Sequence, residues 1–147
     1  VRWDAHTKLD IIQEADAAFP NETGGILLGH CQKDFIHITH AIGPGPNAHH
    51  QRSTFTPDRD WQYERIDELF SGSQDTLAYL GDWHTHPQGL PCPSKTDLAL
   101  LNLIAKSPES QCPAPIMCIL APDATGEWFE MLFFYDLTQG EARLHLL

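Results

Sequence analysis

Apolar residues recur at three- and four-residue steps near the start of the chain: Leu9, Ile12, Ala15 and Phe19 in DAHTKLDIIQEADAAF, with Pro20 ending the run. That period is one face of a helix and predicts an amphipathic helix over residues 5–18. The pattern then changes. GGILLGH and DFIHITHAI are rich in aliphatic and β-branched residues and flank CQK, so they read as two paired antiparallel strands. GPGPNAHHQRS is a loop by its Gly and Pro content, long enough to be a candidate substrate-facing element. A second helix is predicted from about Asp58 to Phe70, with Trp61, Ile66, Leu69 and Phe70 as its apolar face, TPD as its start and Ser71-Gly72-Ser73 as its end. TLAYLGDWHTHP reads as a central strand, and SKTDLALLNLIAKS as a third helix with Leu98, Leu101 and Ile104 on one side. APIMCILA, EWFEMLFFY and EARLHLL read as three more strands, separated by PDATG and DLTQG, which have the Asp and Gly of hairpin turns. No repeat, low-complexity run or linker divides the pattern. The expectation is a single α+β domain over residues 1–147: a mainly antiparallel sheet flanked by about three helices.

Charge narrows the partners. Nine Lys+Arg against twenty Asp+Glu gives a formal net charge of −11, which repels phosphate backbones at long range and argues against a nucleic-acid partner. Cys31, Cys92, Cys112 and Cys118 contain no CxxC pair, and 147 residues with 41% hydrophobic content can build a core without disulfide staples. No apolar run approaches the roughly 18–20 residues that cross a bilayer, and no charged-then-apolar leader opens the chain. A soluble, cytoplasmic protein with reduced thiols and no membrane partner is expected.

Chemistry concentrates in GDWHTHPQGLPCPSKTDL, residues 81–98. Strand side chains alternate faces, so His84 and His86 project together, about 6.5–7 Å apart along the backbone. That spacing lets two imidazoles converge on one ion at roughly 2.0–2.1 Å each. PSKTD puts Ser94 at a helix N-cap and Asp97 at the third helical position, where a carboxylate can supply a third ligand. Two His and one carboxylate leave a fourth tetrahedral position open, the pattern of a catalytic zinc and not of a closed structural one. Each piece has an ordinary alternative: HxH as two hydrogen-bonded imidazoles, Ser94 with Asp97 as a capping box. The combination at fixed offsets favours the metal. Such a site needs a carboxylate that is not a ligand, and Glu22 in PNETGGILLGH is the candidate, beside Gly24 and Gly25, which allow a substrate or a neighbouring strand to come close. Without a metal, Glu22 reads as an exposed turn residue.

Glu22, His84-Thr85-His86-Pro87, Ser94 and Asp97, with ten residues between His86 and Asp97, resemble the JAB/JAMM (MPN+) metalloprotease family, compact prokaryotic type. The resemblance covers most of the chain, including NETGGILLGH and the order of elements. It implies one Zn2+ per chain, held by His84, His86 and Asp97. It implies Glu22 as the general acid/base that moves a proton from water to the leaving amine, and Ser94 as a donor to the oxyanion. Asp82 and Trp83 are candidates to orient these groups. The implied substrate is a peptide or isopeptide bond after the C-terminal glycine of a ubiquitin-like or sulfur-carrier protein, in some systems beside an E1-like enzyme. An exposed strand edge near Glu22 would take such a tail by strand addition.

Three rivals remain. A RadC-like protein shares a similar motif, but a net charge of −11 does not suit DNA. A non-catalytic MPN scaffold binding only protein partners has no need of the intact ligand set. A JAMM hydrolase of small or thiolated substrates is not separated by sequence. His37 and His40, three apart in a strand, are expected on opposite faces as ordinary hydrogen-bonding residues. Cys92 is expected to be buried as a small apolar residue. His49 and His50 stand in the long loop, where contact with substrate is open.

Overall fold

The first predicted helix forms over Ala5–Ala18 (α1) in the computed structural model, which describes residues 1–32, 35–73, 77–136 and 143–146. Its buried face differs from the expected one. Thr7, Ile11 and Ala15, four residues apart, are buried, whereas Leu9 is 53% and Phe19 56% exposed. The Thr7 hydroxyl donates to the Thr39 carbonyl (2.7 Å), and that bond lets a polar side chain go under the helix where hydrophobicity alone selects Leu9.

The chain runs β1 (Arg2–Trp3), α1, β2 (Gly24–Gln32), β3 (Phe35–Ile42), β4 (His49–His50), β5 (Phe55–Thr56), α2 (Arg59–Gly72), β6 (Ala78–Thr85), α3 (Lys95–Lys106), a 3-10 turn (Pro108–Ser110), β7 (Ile116–Pro122), β8 (Trp128–Asp136) and β9 (Arg143–Leu146). Among the described residues one sheet has the order β1-β3-β2-β6-β7-β8-β9, and β4 pairs with β5 in a separate ribbon. The large sheet is mainly antiparallel, as expected. Its parallel pairs are β1 with β3 and β6 with β7. Parallel neighbours need a crossover, and α3 supplies it between β6 and β7. β4 falls inside the segment read from sequence as loop, and β5 lies just beyond it. The PDATG turn closes with Gly126 N–H donating to the Asp123 carbonyl at 3.0 Å; residues 137–140 of DLTQG lie outside the described residues.

Alternation along the central strands builds two cores, one on each face. Trp83, Ile116, Cys118 and Leu120 join Ile11, Leu27, Ile38 and Leu80 in one buried cluster. Met117, Ile119, Phe133 and Tyr135 point the other way and pack with Leu101 of α3. Leu101 is fully buried, while Leu98, placed on the same apolar side by the sequence pattern, is 38% exposed at the start of the helix. In α2 the buried side chain is Gln62, whose amide donates to the Gly43 carbonyl at 2.9 Å.

Gly25 shows how tightly the sheet is assembled. A Cβ there would stand 1.8 Å from the Ile42 carbonyl oxygen and 2.9 Å from Trp83 Nε1. Both are fixed, because Trp83 is buried and its indole N–H donates to that carbonyl (3.2 Å). Gly25→Ala is therefore expected to destabilise the fold by about 1–3 kcal/mol or more. In a chain of this size that lowers the melting midpoint by roughly 2–4 °C per kcal/mol, readable by calorimetry.

Candidate metal centre

His84 lies near the end of β6 and His86 one residue past it, on the face that α3 covers. His84 pairs with Ile119 of β7, and both belong to the set opposite Trp83 and Cys118. The imidazoles converge as expected, with their Nε2 atoms 3.0 Å apart. Asp97 approaches from the first turn of α3, Oδ1 at 3.4 Å from His84 Nε2 and Oδ2 at 3.6 Å from His86 Nε2. A tetrahedron with arms of roughly 2.0–2.1 Å has edges of about 3.4 Å. One donor atom from each of the three residues lies within 4.8 Å of the others, so a small inward movement would set them around one ion. Two neutral imidazoles and a carboxylate also carry the charge that suits a divalent cation.

Local hydrogen bonds set this geometry. His86 Nδ1 lies 2.9 Å from the Leu90 carbonyl, which only accepts. Nδ1 therefore carries a proton, and Nε2 is the nitrogen turned toward the group, able to ligate a metal once its own proton is released. Asp97 is held by the capping box expected from PSKTD: Ser94 N–H donates to Asp97 Oδ2 (2.7 Å), and Asp97 N–H donates to Ser94 Oγ (3.2 Å). Partial burial works against the Asp97 charge, but hydrogen bonds with His84 and His86, the charge of His84 and the hydrogen bond with Ser94 outweigh it and hold the carboxyl well below the usual range. His86 is pulled above its ordinary value, mainly by its hydrogen bond to Asp97. Asp97 thus serves two structures at once, the helix start and the metal group.

Glu22 reaches the same place by strand pairing. β2 runs antiparallel to β6 with Gly24 opposite His84, and Thr85 N–H donates to the Thr23 carbonyl (2.9 Å), which carries the register one step further. Glu22 lies one residue before Thr23, just outside β2, and near enough to His86 and His84 for their charges to act on its carboxyl. Burial pushes the Glu22 carboxyl above its ordinary value, while the charges of His86 and His84 pull the other way. Gly24 must lack a side chain here, because a Cβ would stand 2.7 Å from His84 Cβ and 2.8 Å from Phe55 Cζ. Of the two uses expected for the glycine pair, close approach of neighbouring strands is the one found.

Several expectations change. β2 is not an exposed edge near Glu22: β3 and β6 flank it, and the Glu22 backbone is bonded to the β4–β5 ribbon, its N–H to the Gln51 carbonyl (2.7 Å) and its carbonyl to His50 Nδ1 (2.9 Å). The sequence signal for those partners was faint, since strands of two residues show no period. Trp83 serves the opposite core, and Asp82 accepts from the Tyr79 hydroxyl (2.8 Å). His37 pairs with Asp4 (2.8 Å) and His40 with the Thr39 hydroxyl (2.8 Å), the ordinary roles foreseen.

Cys92 is exposed, not buried, in the Pro-broken loop before Ser94. Cys31 is exposed too, Cys112 is half-buried with its thiol pushed up to about 11 by burial, and Cys118 is buried. Iodoacetamide at neutral pH should therefore label Cys31 and Cys92 in the native protein, with Cys118 reacting only after unfolding. Peptide mass mapping reads this directly.

The family described as prokaryotic homologues of the JAB domain matches residues 4–134. The chain belongs to this family. Among relatives, it is 39% identical over 112 residues to the "Probable metalloprotease y4qB" of Sinorhizobium fredii, covering 75% of this chain and 68% of that protein. It is 33% identical over 121 residues to a "CD-NTase/cGAS isopeptidase" of Enterobacter hormaechei, covering 80% of this chain and 65% of that protein. With the corresponding Escherichia coli protein of the same name it shares 32% over 89 residues, 59% of this chain and 57% of that one. The chain thus spans less than two-thirds of these isopeptidases. The solution structure of protein DSY2949 from Desulfitobacterium hafniense has the same fold, with a TM-score of 0.70 at 17% identity over 98% of this chain and 88% of that one. A JAB-type hydrolase domain with a His-His-Asp group that suggests a metal ion is the result. No helix among the described residues is long and apolar enough to cross a membrane.

Proposed function

We propose that this JAB domain is a zinc-dependent peptidase or isopeptidase, cutting after the C-terminal glycine of a ubiquitin-like or sulfur-carrier protein. The observation that carries the reading is the gathering of His84, His86 and Asp97 within 4.8 Å of one another, with Glu22 close enough for the charges of both histidines to act on its carboxyl. Relatives named as isopeptidases support a conjugated protein as substrate. His84, His86 and Asp97 would hold one zinc ion, which when bound polarises a carbonyl and makes water easier to deprotonate.

The protein's own groups handle the proton. Glu22, raised by burial, accepts a proton from the attacking water as the water oxygen bonds the carbonyl carbon. It returns that proton to nitrogen as the C–N bond breaks, leaving a carboxylic acid and an amine. Ser94 can cap α3 and assist at the same time. Its oxygen accepts from Asp97 N–H through a lone pair, so its own O–H remains to donate to the oxyanion. The tail would lie along the β4–β5 ribbon, which adjoins Glu22 and offers strand backbone.

The test is incubation of the protein with ubiquitin-like and sulfur-carrier proteins fused through their terminal glycine to a reporter. Release of the reporter after that glycine is expected. Cleavage of small thiolated adducts, with every fusion left intact, would replace this reading by the small-substrate one.

A further inference from the structure

Glu22 sits in neither a helix nor a strand: α1 ends at Ala18 and β2 begins at Gly24. A carboxylate that must carry a proton between water and amine needs a fixed direction, and the sheet supplies part of it, through Thr23 N–H donating to Thr85 Oγ1 (3.0 Å) on the peptide that follows Glu22. The β4–β5 ribbon supplies the rest. Gln51 and His50 take both backbone polar groups of Glu22, at 2.7 and 2.9 Å. With the peptide units on either side of its Cα anchored, the direction of the side chain is set. The ribbon is itself braced. Gln51 N–H donates to the Thr54 carbonyl (2.8 Å), and the His50 ring stacks on Phe55 with centroids 6.3 Å apart and planes at 17°. Phe55 in turn packs on Gly24, beside His84.

We infer that His50 is a positioning residue: resting on the reading above, it holds the Glu22 peptide through an Nδ1–H···O=C bond so that the carboxylate stays aimed at the His84–His86–Asp97 group. The acceptor decides the tautomer. A carbonyl oxygen only accepts, so His50 carries its proton on Nδ1. His50 acts through Glu22 and needs no contact with substrate or metal.

Asparagine separates this role from a general structural one, because its amide nitrogen can occupy the place of Nδ1 and donate the same bond, whereas leucine fills the space without a donor. Wild type, His50→Asn and His50→Leu are compared on a glycine-tailed fusion. His50→Leu is expected to lose about 10- to 100-fold in kcat, the scale of a catalytic group displaced by about an ångström. KM should change less than about threefold, and His50→Asn should recover most of the loss. Zinc content should be equal in all three, and slow hydrogen exchange in β7 should show that each is folded. A substrate-free readout accompanies these: nitrogen NMR of His50 should show the Nδ1–H tautomer, and the Glu22 amide should exchange faster in His50→Leu than in His50→Asn. Unchanged kcat in His50→Leu, a His50→Asn protein as slow as His50→Leu, or a rise in KM with kcat kept would overturn the inference. If wild type cuts no fusion, the substrate reading fails separately, and the tautomer with the Glu22 exchange rates decides the role of His50.

Discussion

Glu22→Gln is expected to stop turnover while leaving the fold and the metal content in place. The substitution keeps shape and hydrogen-bonding reach but removes the ability to take a proton, a function worth about 10²- to 10⁴-fold. The contacts that place the residue belong to its backbone, through Gln51 and His50, so they survive the change of side chain. The carboxyl is also not among the three donors grouped within 4.8 Å of one another. Metal analysis and reporter release on the same preparation check both halves. Wild-type cleavage by Glu22→Gln would remove Glu22 from the reaction.

The second large effect falls on the ligands. Wild type should carry about one zinc per chain, and both His84→Ala and Asp97→Ala should lose it, because two remaining donors do not make a site. The two variants should differ in stability. Asp97→Ala also breaks the capping box, in which its carboxylate accepts from Ser94 N–H, at a cost of about 0.5–2 kcal/mol. Ser94→Ala supplies the control: it removes the acceptor for Asp97 N–H and should lower stability on that same scale with zinc retained. Metal analysis with thermal melts of the three variants separates ligation from capping. Undiminished zinc in His84→Ala would refute the ligand assignment.

Much of the site was legible in the sequence because it is local. His84, His86 and Asp97 lie within one short segment, and strand alternation plus a helix cap suffices to bring them together. Glu22 is different in kind. It comes near His86 and His84 through the long-range pairing of β2 with β6 that begins just after it, a choice that sequence periodicity does not encode, and only the need for a base and the family resemblance point to it. The ribbon that fixes Glu22 was missed, since His49–His50 and Phe55–Thr56 are too short for a period to show. The face of α1 was misassigned because Thr7 is buried by virtue of a tertiary hydrogen bond. Cys92 was expected inside on residue type, yet it lies in a surface loop punctuated by Pro91 and Pro93, where backbone geometry outweighs the preference.

The proposal that the His84–His86–Asp97 group and Glu22 together hydrolyse the bond after a terminal glycine is tested most directly by the mass of the products when a glycine-tailed fusion is incubated with wild type as purified, after chelation, and after zinc is restored. A single cut after the glycine is expected, lost on chelation and regained with zinc. A cut at that bond that persists in the chelated, metal-free protein would contradict it.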